Sequence, residues 1–191
     1  MTTRADSSAA TRQALLEAAG ALLDSGGPQA VTLRDVGARA GVSRGAPYRH
    51  FDSKESLLTQ IATQAWDDVS DALGELAGDP GIAPEQRLRR ALAALLGTAR
   101  SRPYLYRLMF TTPDTDPAAV VRAAQRAHDL FLTIVAEVVG TDQASQYAAL
   151  LMTSAHGAAD LQISGHLTWD KWHATAEDLV ELLIGLLPRV S

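Results

Sequence analysis

The chain of 191 residues contains no cysteine. This absence excludes disulfide scaffolds, Cys-ligated zinc sites and thiol catalysis, and it fits a reducing compartment. Long apolar runs are also missing, since a stretch such as 91–96 is far shorter than the roughly 18 residues that a membrane span needs. The first eight residues lack the apolar segment of a secretory signal. We therefore expect a cytoplasmic protein with no membrane partner.

Phenylalanine occurs only three times, whereas there are 34 alanines and 26 leucines. Ala and Leu are strong helix formers, and the chain is long enough to bury a substantial core. Apolar residues at helical spacing, separated by short polar breaks, predict an all-α fold with nine helices and no strand. These helices are expected at about 8–24, 32–40, 43–51, 53–76, 84–101, 103–111, 117–139, 143–165 and 169–187.

The formal net charge of −5 is distributed unevenly along the chain. Residues 1–54 carry seven Lys/Arg and five Asp/Glu, net +2, whereas residues 55–191 carry ten and seventeen, net −7. A locally basic surface on an acidic body is typical of a protein that contacts phosphate with one end only.

Residues 32–54 have the spacing of a helix-turn-helix, since two short predicted helices are separated there by a glycine turn. Thr32 begins a capping-box pattern at the second helix. Gly41 stands where a left-handed residue is needed to reverse the chain, and Ser43 is placed to cap the third helix. Pro47 and Phe51 are four residues apart, so we expect both to point into a small core.

The outer surface of the third helix then consists of Arg44, Gly45, Ala46, Tyr48 and Arg49. Arg44 can donate two hydrogen bonds to guanine, Gly45 allows the backbone to approach closely, and the Ala46 methyl can meet a thymine methyl. Lys54, at the start of the next helix, can hold a phosphate together with free N–H groups. Similar helix pairs occur in proteins that never bind DNA, so the spacing alone leaves both interpretations open.

The exact string is more specific than its spacing. Residues 31–58, V-T-L-R-D-V-G-A-R-A-G-V-S-R-G-A-P-Y-R-H-F-D-S-K-E-S-L-L, closely resemble the DNA-binding segment of the tetracycline-repressor (TetR) family. The matching features are Thr32, the turn Ala40-Gly41-Val42-Ser43, Tyr48, His50-Phe51, and Ser53-Lys54-Glu55 leading into Leu57-Leu58. Elsewhere the chain agrees with that family in length and in its nine-helix plan, and His156-Gly157 in the predicted eighth helix resembles one subgroup of its C-terminal domains.

This resemblance implies a transcriptional regulator, usually a repressor, that binds a palindromic operator as a homodimer. It implies that Thr32, Tyr48 and Lys54 contact phosphate and that residues 44–46 read bases. The expected DNA-binding residues are Thr32, Ser43, Arg44, Gly45, Ala46, Tyr48, Arg49, His50 and Lys54. Pro47 departs from the family, which often has a larger aliphatic residue there. A proline at that position predicts a tighter, 3₁₀-like start of the third helix.

We expect a three-helix DNA-binding domain at 1–54 and a six-helix effector-binding and dimerisation domain at 55–191. The last predicted helix is apolar on two sides and so needs two partners, while small residues in the eighth helix permit close approach. Both helices are therefore predicted to form a four-helix bundle with their two-fold mates. The expected interface residues are Ala155, Ala159, Trp172, Leu179, Leu183 and Leu186. Burial of both sides within one subunit is the alternative.

The resemblance also implies a small-molecule sensor, with a pocket lined from helices four to eight. The candidate pocket residues are Trp66, Tyr106, Met109, Phe110, Phe131, Met152 and His156. Aromatic and Met side chains suit an apolar or aromatic effector, with His156 as a polar contact. Ordinary core packing explains each of these residues equally well.

Motifs of catalysis and metal binding are missing from the sequence. There is no G-x-S-x-G and no phosphate-binding glycine loop, and His166, Asp170 and His173 lack a zinc spacing. We therefore expect no enzymatic activity, no metal and no cofactor. Two alternatives to a ligand-responsive regulator remain: a helical binding module without a DNA role, and a DNA-binding dimer controlled by a protein partner.

Overall fold

Ten helices make up the regular structure of the computed structural model, which describes residues 4–112 and 115–188, and no strand occurs in these two ranges. The helices are α1 (Arg4–Ala30), α2 (Leu33–Arg39), α3 (Pro47–His50), α4 (Lys54–Gly78), α5 (Pro84–Ser101), α6 (Pro103–Met109), α7 (Pro117–Val139), α8 (Thr141–Ile163), α9 (Trp169–Trp172) and α10 (Ala176–Gly185). The predicted all-α fold is confirmed. None of these helices is both long and apolar enough to cross a lipid bilayer.

The helices belong to two structural units. The first consists of Met1–Trp66 and Tyr104–Arg122, and the second of Asp67–Pro103 and Ala123–Ser191. The first unit therefore contains the helix-turn-helix together with nearly all of α6. These boundaries differ from the predicted division between residues 54 and 55. That division separates a DNA-binding from an effector-binding domain by function, and it stays a prediction.

The first unit is built on the apolar face of α1, where Leu15 and Leu23 are fully buried and which packs against α2 and α3. The helix continues beyond its predicted end at residue 24, but it is interrupted at Gly26 and Gly27. Gly27 has a φ of 69°, and a Cβ there would lie 2.8 Å from the ring of Tyr104. Only glycine therefore allows the start of α6 to pack against this turn.

The second unit has a core formed where α5, α8 and α10 pack against one another. Each of these helices contributes buried aliphatic residues at helical spacing. The members of this core include Leu88, Leu92, Leu96, Leu151, Ala155, Val180 and Ile184.

The C-terminal region differs from the prediction of one helix over 169–187, which is wrong. His173 ends α9 in a left-handed conformation with a φ of 50°. Thr175 then caps α10, and its side chain accepts a hydrogen bond from the backbone N–H of Asp178 at 3.1 Å. The Thr-x-x-Asp pattern was a visible signal of a new helix start. The chain therefore has ten helices in its described residues, where nine were predicted.

Candidate nucleic-acid interface

The second helix begins as the sequence predicts. The Thr32 hydroxyl accepts a hydrogen bond from the backbone N–H of Asp35 at 3.1 Å and donates one to the Asp35 carboxylate at 2.6 Å. Thr32 itself has extended backbone angles, as an N-cap residue does. Its side chain is thereby held at the exposed start of α2.

The glycine turn after α2 is also confirmed. Gly41 has a φ of 67°, in the left-handed region that glycine tolerates. The next residue closes the turn, since the Val42 N–H donates to the Gly37 carbonyl at 3.2 Å. This reversal brings the chain from α2 towards α3 within a few residues.

The third helix is shorter than predicted and starts at Pro47. A tight turn precedes it, in which the Ala46 N–H donates to the Ser43 carbonyl at 2.9 Å and the Arg49 N–H donates to the Ala46 carbonyl at 3.1 Å. These three-residue steps confirm the predicted tight start. The prediction that Ser43 caps α3 is wrong, because Ala46 occupies the N-cap position without a side-chain cap. Proline at the first helical position needs no N–H partner, which explains this start.

The later start of α3 changes which side chains face outwards. Pro47 and Phe51 are buried, as expected. Ala46 is buried as well, with an exposed fraction of 3%. Its predicted place on the outer surface is therefore wrong, because it precedes the helix and does not follow the helical spacing counted from Ser43.

Of the other predicted residues of this segment, five are exposed, whereas His50 at the end of α3 is half-buried. We define the recognition surface as Ser43, Arg44, Gly45, Tyr48 and Arg49, which are all exposed, with Tyr48 at 61%. A groove of about 450 Å³ adjoins it. Its lining residues are Arg34, Gly37, Ala38, Val42, Arg44 and Tyr48. Arg34 was absent from the expected DNA contacts, although its outward position on α2 was a sequence signal for it.

The start of α4 lies next to this segment, and Ser53 and Ser56 cap it reciprocally. The Ser56 N–H donates to the Ser53 hydroxyl at 3.1 Å, and the Ser53 N–H donates to the Ser56 hydroxyl at 3.2 Å. Hydrogen bonds from its own backbone N–H and from Ser53 lower the pKa of Glu55 below the usual value. Lys54 is half-buried at the first position of the helix. A cation and a firmly ionised carboxylate therefore share this helix start.

The recognition segment is joined to α1 by a cation–π contact. The guanidinium of Arg12 lies 5.4 Å from the centroid of the Phe51 ring. Phe51 directly follows α3 and is buried. α1 therefore supports the end of the helix that carries Tyr48 and Arg49.

Four of the candidate pocket residues come together inside the first unit. The Phe110 ring lies 5.3 Å from Trp66 and 5.0 Å from Tyr106, measured between centroids. The Trp66 indole donates to the Met109 carbonyl at 3.1 Å. The other three candidates, Phe131, Met152 and His156, belong to the second unit. None of the seven lines the groove beside α3, so their role in a pocket stays a prediction.

The candidate dimer residues fall into two groups. Trp172, Leu179 and Leu186 are exposed and Leu183 is partly exposed, whereas Ala155 and Ala159 are buried within the subunit. Other large apolar side chains that the prediction omitted are exposed in the same unit. They are Leu150, Leu161, Trp169 and Leu182.

This arrangement of a helix-turn-helix and a second helical unit defines a class of transcriptional regulators. Residues 15–61 match the family model for bacterial regulatory proteins of the tetR family, and residues 88–187 match the model for the tetracyclin repressor-like C-terminal domain. The chain belongs to the TetR family, so the resemblance read from the sequence is confirmed. Members of this family regulate transcription and are not enzymes.

Individual relatives agree with this assignment over most of the chain. The transcriptional repressor KstR of Rhodococcus jostii (strain RHA1) is 28% identical over 185 residues, which cover 91% of this chain and 82% of that protein. A protein of unknown function from Rhodococcus sp. RHA1 has a similar structure, with a TM-score of 0.76 and 26% identity over 93% of this chain and 95% of that one. Thermus thermophilus FadR, a TetR-family repressor in complex with lauroyl-CoA, has a TM-score of 0.59 and 22% identity over 94% and 97% of the two chains. This last similarity concerns the fold.

Proposed function

We propose that this regulator is a repressor that binds a palindromic operator as a homodimer and is released from it by a small-molecule effector. The observation that carries the proposal is the exposed recognition surface beside the groove between α2 and α3. The KstR relatives are named as transcriptional repressors, which supports repression over activation. Because its target is DNA, we place its action in the cytoplasm.

The recognition surface suits the major groove. Arg44 is exposed and can form two hydrogen bonds with guanine. Beside it, a Cβ on Gly45 would meet no heavy atom within 4 Å among the described residues other than Gly45 and its two chain neighbours, so the backbone there can approach base edges. The buried Ala46 is not among the proposed contacts. Base reading therefore rests on Arg44, with Arg34 as an additional contact from α2.

Phosphate contacts are proposed for the polar groups around this surface. Thr32, Tyr48 and Lys54 lie at the start of α2, on α3 and at the start of α4. Hydroxyl and ammonium groups at such positions hold the sugar–phosphate backbone without reading sequence. They are expected to supply affinity that falls with salt concentration.

A homodimer is supported by apolar side chains that one subunit leaves uncovered. On α10, Leu179, Leu182 and Leu186 follow one another at helical spacing, and Leu182 and Leu186 are 65% and 80% exposed. α8 exposes Leu150 and Leu161. Pairing of α8 and α10 with their two-fold mates would bury these residues in a four-helix bundle. Two copies of α3 would then reach successive major grooves about 34 Å apart or somewhat more.

The effector is proposed to be apolar or aromatic. FadR of Thermus thermophilus has this fold and is described with lauroyl-CoA, which supports a small-molecule ligand with a long apolar part. Phe131, Met152 and His156 of the second unit remain the candidate contacts with this effector. An effector that binds one arrangement of the dimer better than another must change operator affinity reciprocally.

A binding assay with the upstream promoter of the regulator's own gene tests the DNA-binding function. We expect salt-sensitive, sequence-selective binding by the wild type. Arg44→Ala should cost about 1–3 kcal/mol and lose base preference at one position. Lys54→Ala should weaken binding to every sequence and reduce the salt slope by about one.

The matched control is Arg90→Ala, which removes an exposed arginine of α5 in the second unit. Its operator binding should equal that of the wild type. A wild-type protein that prefers the promoter no more than random DNA would overturn the regulatory function.

Sedimentation tests the homodimer separately. Leu182→Glu should give monomers, because it places a charge in the proposed interface. Val121→Glu changes a similarly exposed residue of the first unit and should stay dimeric. A folded, monomeric wild type at micromolar concentration would contradict the proposal.

A further inference from the structure

A second cavity, of about 410 Å³, lies among α1, α4 and α6. All its lining residues belong to the first structural unit, which also carries the recognition surface. On α4 the lining residues are Glu55, Leu58, Thr59 and Ala62. Their spacing of three, four and seven places them on one face of the helix. The volume falls within the roughly 300–1,000 Å³ typical of small-molecule pockets.

The opposite wall comes from α6 and from the residues that follow its end. It consists of Tyr104, Arg107 and Leu108 of α6 with Thr111 and Thr112 beyond it, and Pro28 closes the cavity from α1. We refer to this space as the α1–α4–α6 cavity. Leu58 and Leu108 remain partly exposed, so both walls present apolar side chains to a space that the described residues leave open.

Two threonine hydroxyls of the lining, those of Thr59 and Thr111, are already hydrogen-bonded. The Thr59 hydroxyl lies 3.1 Å from the Thr115 carbonyl oxygen, to which it donates, and 3.0 Å from the Thr115 hydroxyl. The Thr111 hydroxyl donates to the Arg107 carbonyl at 2.8 Å. Among the described lining residues, the one carboxylate, Glu55, and the one guanidinium, Arg107, balance each other in charge. An occupant therefore gains most from apolar contact and little from a charge of its own.

Tyr104 connects this cavity to the turn in α1. Its ring lies against Gly27, where a Cβ would approach to 2.8 Å, and the same side chain lines the cavity. An occupant would therefore touch α4, α6 and a residue that is packed on α1.

We propose that the α1–α4–α6 cavity binds a neutral, mainly apolar small molecule, and that its occupancy changes the affinity of α3 for the operator. The binding step stands on the cavity alone, whereas the effect on the operator rests on the proposed function. This site is separate from the candidate pocket residues of the second unit.

The coupling follows from the position of the cavity along the chain. α4 begins at Lys54, four residues after α3 ends at His50. The first two turns of α4, which carry Glu55 and Leu58, line the cavity. A molecule held between these turns and α6 favours one placement of α4, and with it one placement of α3. Ligand and operator must then change each other's affinity by the same factor.

Fluorescence titration of the full-length protein with N-phenyl-1-naphthylamine, a neutral apolar probe, tests the site. We expect saturable binding by the wild type. Leu58→Trp fills the cavity from α4, and Thr111→Trp fills it from its exposed rim. Each variant should weaken binding of the probe by at least tenfold. Val121→Trp is the matched control, since it places the same side chain on an exposed position of this unit outside the cavity lining. Circular dichroism checks that each variant is folded. If Leu58→Trp does not fold, Thr111→Trp still tests the site.

Probe affinity that is unchanged in the folded filled variants, or no binding by the wild type, would overturn the site. For the coupling, saturating probe should change wild-type operator affinity by about fivefold or more, as allosteric effectors commonly do, but should not affect Thr111→Trp. A change of less than twofold in the wild type would refute the coupling and leave the site standing. If the wild type has no operator preference, the regulatory function fails instead, and the variant titrations still decide the site.

Discussion

Gly37 of α2 and Pro47 of α3 pack so closely that a Cβ on Gly37 would lie 2.7 Å from Cγ of the proline ring. Both residues are buried. The pyrrolidine ring cannot rotate away as a flexible side chain would. The distance between the two helices of the helix-turn-helix therefore depends on glycine at one position and proline at the other.

Gly37→Ala should destabilise the protein by about 1–3 kcal/mol, because overpacking forces the helices apart. Displacement of α3 should also weaken operator binding at every sequence. Urea unfolding and operator titration measure the two effects. The double variant Gly37→Ala/Pro47→Ala removes the ring that the new methyl meets, so it should recover much of the loss.

Gly97→Ala in α5 is the control for this pair. Its added Cβ would meet no heavy atom within 4 Å among the described residues beyond its chain neighbours and the backbone of its own helix, and alanine favours helix over glycine by about 1 kcal/mol. Gly97→Ala should therefore stabilise the protein. If Gly37→Ala stabilises it equally, the close approach of α2 and α3 does not limit the fold.

A second prediction concerns the ion pair between α5 and α7. The buried Arg87 donates to the Glu137 carboxylate at 2.6 Å and to the Asp79 carbonyl at 2.7 Å. Glu137→Ala leaves a buried guanidinium without its counter-charge, so it should lower the free energy of unfolding by about 1–2 kcal/mol. This expected loss is smaller than that for breaking a fully buried ion pair, since the Glu137 side chain is 34% exposed.

The exposed pair Arg126–Asp71 provides the comparison, with an N···O distance of 2.8 Å. Asp71→Ala should cost less than about 1 kcal/mol, because solvent screens this pair. Chemical denaturation of both variants checks that Glu137→Ala lowers the free energy of unfolding more than Asp71→Ala does. Equal costs would show that burial of Arg87 adds nothing to the interaction.

A third prediction uses a glycine of α8 to test the proposed dimer. A Cβ added to Gly157 would meet no heavy atom within 4 Å among the described residues beyond its chain neighbours and the backbone of its own helix, so the isolated subunit leaves space at this position. Gly157→Leu should nevertheless raise the dimer dissociation constant at least tenfold, because helices that approach closely need small residues between them. Gly97→Leu makes the same change in α5 and should leave association unchanged in sedimentation. Dimers of normal affinity in Gly157→Leu would place the interface elsewhere.

A fourth prediction is a pH dependence at the start of α10. The Asp178 carboxylate accepts hydrogen bonds from the Thr175 N–H and hydroxyl, both at 2.8 Å, and these bonds lower the pKa of Asp178 from its usual 3.8. A carboxyl whose pKa is lower in the folded state stabilises the fold above its unfolded pKa, and this contribution is lost as the pH falls through the folded value. Asp178→Asn should therefore reduce the Tm at pH 7, and the difference from wild type should shrink as the pH falls below 3.8 and disappear below the pKa of the folded state.

Thr175→Ala removes the hydroxyl of the same cap and should cost about 1 kcal/mol at neutral pH. Thermal unfolding between pH 2.5 and 7 measures both variants. A difference between Asp178→Asn and wild type that is independent of pH would exclude the carboxylate as the source of the effect.

The features that could be predicted from the sequence are those that neighbouring residues control. Thr32 and Asp35 cap α2 and Gly41 reverses the chain, because each interaction spans only a few residues. The prediction was wrong where two neighbouring residues both signalled the start of the same helix. Ser43 was expected to cap α3, but Pro47 favours the first helical position, and the helix begins there.

The sequence by itself therefore determined the helical class and the helix-turn-helix, since capping, turns and helix periodicity act locally. Only the tertiary structure decided that Ala46 and Ala155 are buried, that Leu182 and Leu186 stay exposed, and that a cavity remains between α4 and α6. Burial and open space depend on side chains far apart in the chain, and no spacing along the sequence contains that information.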